Sequence, residues 1–212
     1  MTAVSSALTD ALSSVSDAFL DNPANFSDER SLATAVRYQI NAQTSPASVG
    51  SCTVRESSEA RGSITDHDRY TKRYAEITSI DRAHCEIGGP QFPFGDTERL
   101  DLGVFGDDIF LRIDTGTQAF DPEDLEAAVE FKYIKNTNYL RYRPDDEQTL
   151  YHNIETDITR LGQLPSEVDR RMVVFCNYDV FRREDSLEAK ASLNEAASAA
   201  DDDLAFVIQE PL

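Results

Sequence analysis

The amino-acid sequence predicts an α/β domain in which a mixed β-sheet carries helices on both faces. Amphipathic helical segments begin the chain, short apolar strands dominate from residue 83 onward, and a helix-strand-helix-strand series ends it. Elements that alternate in this way pack as helix layers against a central sheet. With 212 residues the chain can form one well-buried core, so we expect a single main domain.

The first helix is predicted by apolar residues at helical spacing between Val4 and Phe19, with Ser and Asp between them. We assign residues 1–26 to this N-terminal amphipathic helix and residues 27–212 to the main domain. The helix is expected either to pack on the core or to form the contact of a homodimer.

A second helix is predicted from Ser27 or Asp28, which can cap it, to about Gln43. Glu29 lies one turn before Ala33 in the apolar seam of this helix, so its side chain is expected to face the core. The alternative is that Glu29 is a first-turn acid stabilised by the helix dipole.

The next segment is rich in Ser, Thr and Gly and lacks periodicity. This composition predicts a loop or a weak hairpin at residues 44–66. A third helix is predicted at residues 67–79, which include the most basic short segment of the chain.

Short apolar runs separated by tight turns then predict an antiparallel meander. Its predicted strands are 83–87, 99–105, 109–114 and 127–135. The predicted elements that follow are a helix at 147–163, a strand at 172–178, a helix at 186–200 and a strand at 204–209. The predicted strand at 172–178 is almost continuously apolar, which is typical of a strand buried on both faces of a sheet.

The chain is strongly acidic, with 39 Asp and Glu against 20 Lys and Arg and a net charge of −19. An acidic surface with few lysines suits a cytoplasm of molar salt, where charge repulsion is screened within about 3 Å. The competing interpretation is an acidic protein that mimics DNA. The sequence has neither a run of about 18 apolar residues nor a secretory signal, so we expect no membrane partner and a cytoplasmic location.

A charged pair interrupts the predicted strand AAVEFKYIK. Because side chains alternate along a strand, Glu130 and Lys132 share one face while Val129 and Phe131 occupy the other. Two charges within an apolar strand are costly to desolvate unless a partner or a metal ion compensates them. The alternative is an exposed ion pair on an edge strand.

A second strand carboxylate, Asp101, lies 29 residues before Glu130. Two carboxylates and a lysine at the end of a sheet suit phosphodiester hydrolysis, because carboxylates bind Mg²⁺ and the lysine offsets developing negative charge. The predicted catalytic residues are Asp101, Glu130, Lys132 and Glu29. Asp101 and Glu130 are also the predicted ligands of Mg²⁺ or Mn²⁺.

The segments RLDLGVF and VEFKYIK, the helix that bears Glu29, and the helix-strand units after Lys132 together resemble the PD-(D/E)XK nuclease superfamily. The resemblance covers residues 27–180, although the motif itself consists of Asp101, Glu130 and Lys132. It implies a restriction-endonuclease-like fold, in which a small mixed sheet lies between helices, and Mg²⁺-dependent cleavage of DNA.

Two features depart from the pattern of this superfamily. Leu100 stands where the motif has a proline, and an extra strand at 109–114 makes Asp114 a rival metal ligand. We favour Asp101 because its strand has the longer apolar context. Glu86, which also lies on a predicted strand, is interpreted as structural.

The sequence therefore predicts a divalent-metal-dependent nuclease. The alternative is a noncatalytic binding or regulatory subunit of the same fold, or an acidic DNA mimic. At a net charge of −19, contact with DNA requires a local basic patch. The candidate phosphate contacts are Lys72, Arg73, residues 140–143, Arg170, Arg171, Arg182 and Arg183.

Overall fold

The computed structural model describes residues 3–55, 77–88, 91–95, 98–114, 117–135, 140–142, 145–147, 149–177, 184–201 and 203–209. In these residues the α-helices are α1 (Ala3–Asp21), α2 (Glu29–Gln43), α3 (Leu150–Gly162) and α4 (Glu184–Ala200). The strands are β1 (Ala47–Arg55), β2 (Ser79–Ile80), β3 (Ala83–Ile87), β4 (Leu100–Phe105), β5 (Asp108–Asp114), β6 (Thr117–Ala119), β7 (Leu125–Ile134), β8 (Asp169–Cys176) and β9 (Ala205–Gln209).

The larger sheet has five strands in the order β3-β4-β7-β8-β9. β3, β4 and β7 are antiparallel neighbours, whereas β7, β8 and β9 are parallel. Each parallel connection contains a helix, α3 between β7 and β8 and α4 between β8 and β9, as parallel crossovers require. The sheet is therefore mixed, as predicted, and β7 is its central strand.

A second sheet of four strands has the order β2-β1-β5-β6. The prediction of one antiparallel meander is wrong at β5, because β5 pairs in parallel with β1 and leaves β4 to pair with β7. The physical reason is that β5 pairs with β1 at seven positions, from Ser48↔Asp108 to Arg55↔Asp114.

The segment predicted as a loop or weak hairpin at 44–66 is also wrong in part, since it contains the whole of β1. The Ser and Gly residues of this segment do not indicate a strand by composition. β1 is stabilised instead by pairing with β2 on one side and β5 on the other. The helix predicted at 67–79 is wrong at Ser79, which begins β2. Residues 67–76 of that prediction lie outside the described part of the chain.

The second helix begins as predicted at an Asp28 cap. The Asp28 carboxylate accepts a hydrogen bond from the Ser31 main-chain N–H at 2.8 Å, and the Ser31 hydroxyl accepts one from the Asp28 N–H at 3.2 Å. This reciprocal capping box satisfies two otherwise unpaired donors. It sets the start of α2 and places Glu29 in the first turn.

Helices cover both faces of the larger sheet. Val129, Phe131 and Tyr133 of β7 join the core cluster that contains α1 and α2. Ala128 and Ile134 belong to the other cluster, with α3, α4 and apolar residues of the second sheet. The alternating pattern of β7 thus directs its even-numbered side chains, including Glu130 and Lys132, toward the α3 face.

The N-terminal helix is part of this core. Phe19, at the end of its buried face, is 1% exposed. Its ring lies 5.5 Å from that of Tyr133 and 5.0 Å from that of Phe175, measured between centroids. α1 therefore packs on the core, which is the first of its two expected roles. A homodimer contact through α1 stays a prediction. Among the described helices, none has the combined length and apolarity that crossing a lipid bilayer requires.

Replacing Phe19 by Ala tests how much the docking of α1 stabilises the fold. We expect Phe19→Ala to lower the free energy of unfolding by about 3–5 kcal/mol, because it empties a fully packed aromatic site. The neighbouring Leu20 is 41% exposed, so Leu20→Ala is the matched control and should change stability by no more than about 0.5 kcal/mol. Urea denaturation in molar KCl measures both, and equal losses for the two variants would contradict the role of Phe19.

Candidate active site

Glu130 and Lys132 lie on the central strand of the sheet and not on an edge. Only 2% of the Glu130 side chain and 16% of the Lys132 side chain are exposed. The alternative of an exposed edge-strand ion pair is therefore wrong. The two side chains also have separate partners on α3: Arg160 for Glu130 and Asp157 for Lys132.

Asp101 lies on the neighbouring strand β4, beside Glu130. The register between the two strands ends at the pair Leu102↔Val129. Beyond it, the Asp101 carboxylate accepts a hydrogen bond from the Phe131 N–H at 2.8 Å, and the Asp101 N–H donates to Glu130 Oε2 at 3.4 Å. The structure thus brings the two predicted metal ligands together where side-chain bonds replace the main-chain ladder.

Lys132 connects this pair of strands to both helix layers. Its Nζ atom lies 2.8 Å from Asp157 Oδ2 and 3.8 Å from Glu29 Oε2. Glu29 Oε1 also accepts a hydrogen bond from the Tyr133 N–H at 3.4 Å. Glu29 is thus a first-turn acid of α2 that also lies beside Lys132, and its side chain is 40% exposed.

Asp157 and Arg160 complete a cluster of charged side chains around Glu130 and Lys132, and neither was predicted from the sequence. Arg160 Nη1 donates to Glu130 Oε1 at 2.9 Å, and Arg160 Nη2 lies 3.2 Å from Asp157 Oδ1 and 3.0 Å from Glu98 Oε2. A signal for Asp157 was present, since it follows Ile154 by three positions within the apolar seam of α3. Glu29, in the seam of α2, likewise faces the sheet, where it contacts Lys132 and the Tyr133 N–H.

Burial and charge make ionisation of Glu130 unfavourable. Desolvation raises the pKa of Glu130 well above the ordinary value, and the carboxylates of Asp101 and Asp157 raise it further, while Arg160 opposes them. Desolvation also raises the pKa of Glu29, against the opposing charge of Lys132. The site therefore holds carboxyl groups that a further cation would stabilise in their charged form.

Lys132 behaves in the opposite way. Burial alone would lower the pKa of Lys132, but the carboxylates of Asp157 and Glu29 outweigh it and leave that pKa above the ordinary lysine value. Lys132 is therefore a cation at neutral pH in this arrangement. It can offset negative charge on a ligand, but it is not poised to accept a proton.

Asp101 and Glu130 are the two carboxylates predicted to bind Mg²⁺. Four carboxylates (Glu29, Glu98, Glu130 and Asp157) pair with two cations (Lys132 and Arg160), and Asp101 lies beside Glu130. In the described residues, no group of three or more His, Cys, Asp or Glu side chains is arranged to hold a metal ion. Mg²⁺ commonly takes about one or two carboxylates and keeps several waters, so binding through Asp101 and Glu130 stays a prediction.

The remaining acidic candidates lie elsewhere. Asp114 ends β5 in the four-stranded sheet, whereas Asp101 lies on the strand that pairs with β7. Glu86 is exposed on β3 and forms an ion pair with Arg30 of α2 at 2.9 Å. Its φ of 57° places it in the left-handed region, which is uncommon for a residue with a side chain.

One predicted phosphate contact is wrong. Arg170 is buried, and its guanidinium pairs with Asp201 at 2.8 Å, so it is a structural cation. Arg171 is held by Asp169 at 2.7 Å. The other predicted basic pairs, Lys72 with Arg73 and Arg182 with Arg183, lie outside the described residues, as does Arg143. A basic patch for DNA stays a prediction.

Comparison with known proteins gives no match. No protein-family model matches the sequence, and no curated protein or solved structure resembles the chain significantly. The function must therefore be argued from the fold and from the chemistry of the cluster around Glu130.

Replacing Glu130 by Gln tests the electrostatics of this cluster. A buried acid whose pKa is raised on folding binds protons more tightly in the folded state, so the parent loses stability as the pH rises through that pKa. Glu130→Gln cannot ionise, and its stability relative to the parent should increase from about pH 4 upward and then level off, by about 1.4 kcal/mol per unit of pKa elevation. Urea denaturation from about pH 4, near the ordinary carboxyl pKa values, up to about pH 8 measures it. A difference that does not change with pH would contradict the raised pKa.

Proposed function

We propose that the protein is a divalent-metal-dependent nuclease that hydrolyses phosphodiester bonds in DNA. The observation that carries this proposal is the contact between Asp101 and Glu130 on neighbouring strands, with Lys132 two residues further along β7 on the same face. Together these residues supply two metal ligands and a cation that can face one phosphate.

The architecture supports a restriction-endonuclease-like fold for this site. The site is built, in chain order, from a helix (α2), antiparallel strands (β3, β4, β7), a crossover helix (α3) and a parallel strand (β8). The strands of the second sheet lie between them in the chain, β1 and β2 after α2 and β5 and β6 after β4. The elements of the site form a mixed sheet between helices, with the acidic motif residues on β4 and β7. The extra strand that separated them in the sequence, β5, is accommodated in the second sheet.

The roles of the residues follow from their contacts. Asp101 and Glu130 would hold Mg²⁺ or Mn²⁺, which would supply polarisation of the scissile phosphate and a bound water of lowered pKa. Asp157 holds Lys132 by an ion pair at 2.8 Å, so that the ammonium group is positioned to offset charge on the phosphate. Arg160 neutralises Glu130 in the absence of metal, so a cation that binds Glu130 competes with this ion pair.

Conservative substitutions at the three motif residues test the catalytic proposal. We expect Asp101→Asn, Glu130→Gln and Lys132→Met each to reduce Mg²⁺- or Mn²⁺-dependent DNA cleavage by more than about 100-fold, since each removes a charge needed at the phosphate. The control is Asp108→Asn, an exposed acid of the second sheet, which should cleave like the parent. Plasmid and single-stranded substrates in molar KCl provide the assay. Absence of cleavage by the parent, or full activity of Lys132→Met, would refute the nuclease.

Metal binding can be measured without catalysis. A ligand that binds only the folded state at 100 times its dissociation constant adds about 2.7 kcal/mol of stability, or about 5–10 °C in melting temperature for a chain of this size. We expect Mg²⁺ or Mn²⁺ to produce such a shift in the parent and in Asp108→Asn. Asp101→Asn should lose it. An equal shift in all three proteins would place the cation elsewhere.

A further inference from the structure

A groove of about 460 Å³ opens beside the candidate active site, at the surface of α3. Its volume lies within the range of ligand sites, about 300–1,000 Å³. Arg160 contributes both to this groove and to the cluster around Glu130. Arg160 therefore links the groove to the proposed catalytic centre.

One wall of the groove is the aromatic ring of Phe94, which is held in place from two sides. The ring of the buried Phe92 packs against it with centroids 5.2 Å apart. The Arg160 guanidinium carbon lies 5.9 Å from the Phe94 centroid, and Arg160 Nη1 lies 2.9 Å from Glu130 Oε1. A partly exposed ring is thus fixed one side chain away from a proposed metal ligand.

The rest of the lining suits a neutral, planar ligand more than a phosphate. The groove has two acidic side chains: Glu98 lies 3.0 Å from Arg160, a cation that Glu130 and Asp157 share, and Glu155 lies 3.5 Å from the His152 ring. The uncharged polar side chains that line it are Thr156, Thr159 and Gln163. Hydroxyl and amide groups beside an aromatic ring can bond the edge of a nucleobase while its face stacks.

We propose that this groove binds an unpaired nucleobase of single-stranded DNA, stacked on Phe94, next to the phosphate that Asp101 and Glu130 address. The inference rests on the proposed nuclease function and narrows its substrate class. In a duplex, both faces of an internal base are covered by neighbouring base pairs, so only an unpaired or terminal base presents a face to Phe94.

The chain contains no tryptophan, which provides a specific test. Phe94→Trp introduces a single indole whose fluorescence a stacked base quenches. In the Glu130→Gln background, which prevents cleavage, a single-stranded thymidine oligonucleotide should quench it, and the same strand with abasic sites should not. Tyr38→Trp in the same background is the matched control. Tyr38 is 73% exposed on α2, and α2 packs on the face of the sheet opposite to α3. The indole of this variant should show no quenching.

Phe94→Ala gives a second measurement that does not depend on the introduced indole. Fluorescence anisotropy of the labelled oligonucleotide should show about 5- to 150-fold weaker binding than the parent background, and Phe94→Tyr should restore it. Unchanged affinity in Phe94→Ala, or quenching by abasic DNA equal to that by the intact strand, would overturn the proposal. If quenching occurs but the parent never cleaves DNA, the nucleobase site stands and the nuclease fails. If the parent cleaves but no quenching occurs, the nuclease stands and the nucleobase site fails.

Discussion

The carboxyl group of Glu130 lies on the central strand of a five-stranded sheet with 2% of its side chain exposed. A charge in that position must be compensated, and the nearest compensation comes from Arg160 on α3. Arg160 also donates to the Arg99 carbonyl at 3.0 Å, while Asp157, one turn earlier, pairs with Lys132. These contacts hold the crossover helix in register over β7, so the position of α3 depends on the charges of the strand beneath it.

The pairing of β4 with β7 ends beside these charges. β4 and β7 stop exchanging main-chain hydrogen bonds after Leu102↔Val129, and the Asp101 carboxylate bonds the Phe131 N–H in place of a ladder partner. Acidic groups outnumber basic ones there, and burial raises the pKa of Glu130. Groups whose ionisation is disfavoured in this way cluster at functional sites, where a ligand supplies the missing charge. In a protein of net charge −19, a bound cation would also offset the repulsion that otherwise keeps a phosphate away.

The sequence predicted those parts of the molecule whose pattern is local. The seam of α2, its Asp28 cap and the alternation of β7 each depend on residues within a few positions, and the structure contains all of them. β1 was missed because a Ser-rich strand becomes stable only through its distant partners β2 and β5. Asp157 and Arg160 were missed for another reason. The role of a charged residue on the apolar face of a helix can be assigned only when its partner on the facing strand is known. Arg170 is wrong as a phosphate contact because it is buried and paired with Asp201, a partner distant in the sequence.

Crystals soaked with Mn²⁺ and measured at a wavelength that gives anomalous scattering from manganese would test the central claim most directly. If Asp101 and Glu130 hold the cation, we expect a peak in coordination contact with a carboxylate oxygen of each residue, accompanied by loss of the hydrogen bond between Arg160 and Glu130. A peak at Asp114, or none near Glu130 at Mn²⁺ concentrations that support DNA cleavage, would contradict it.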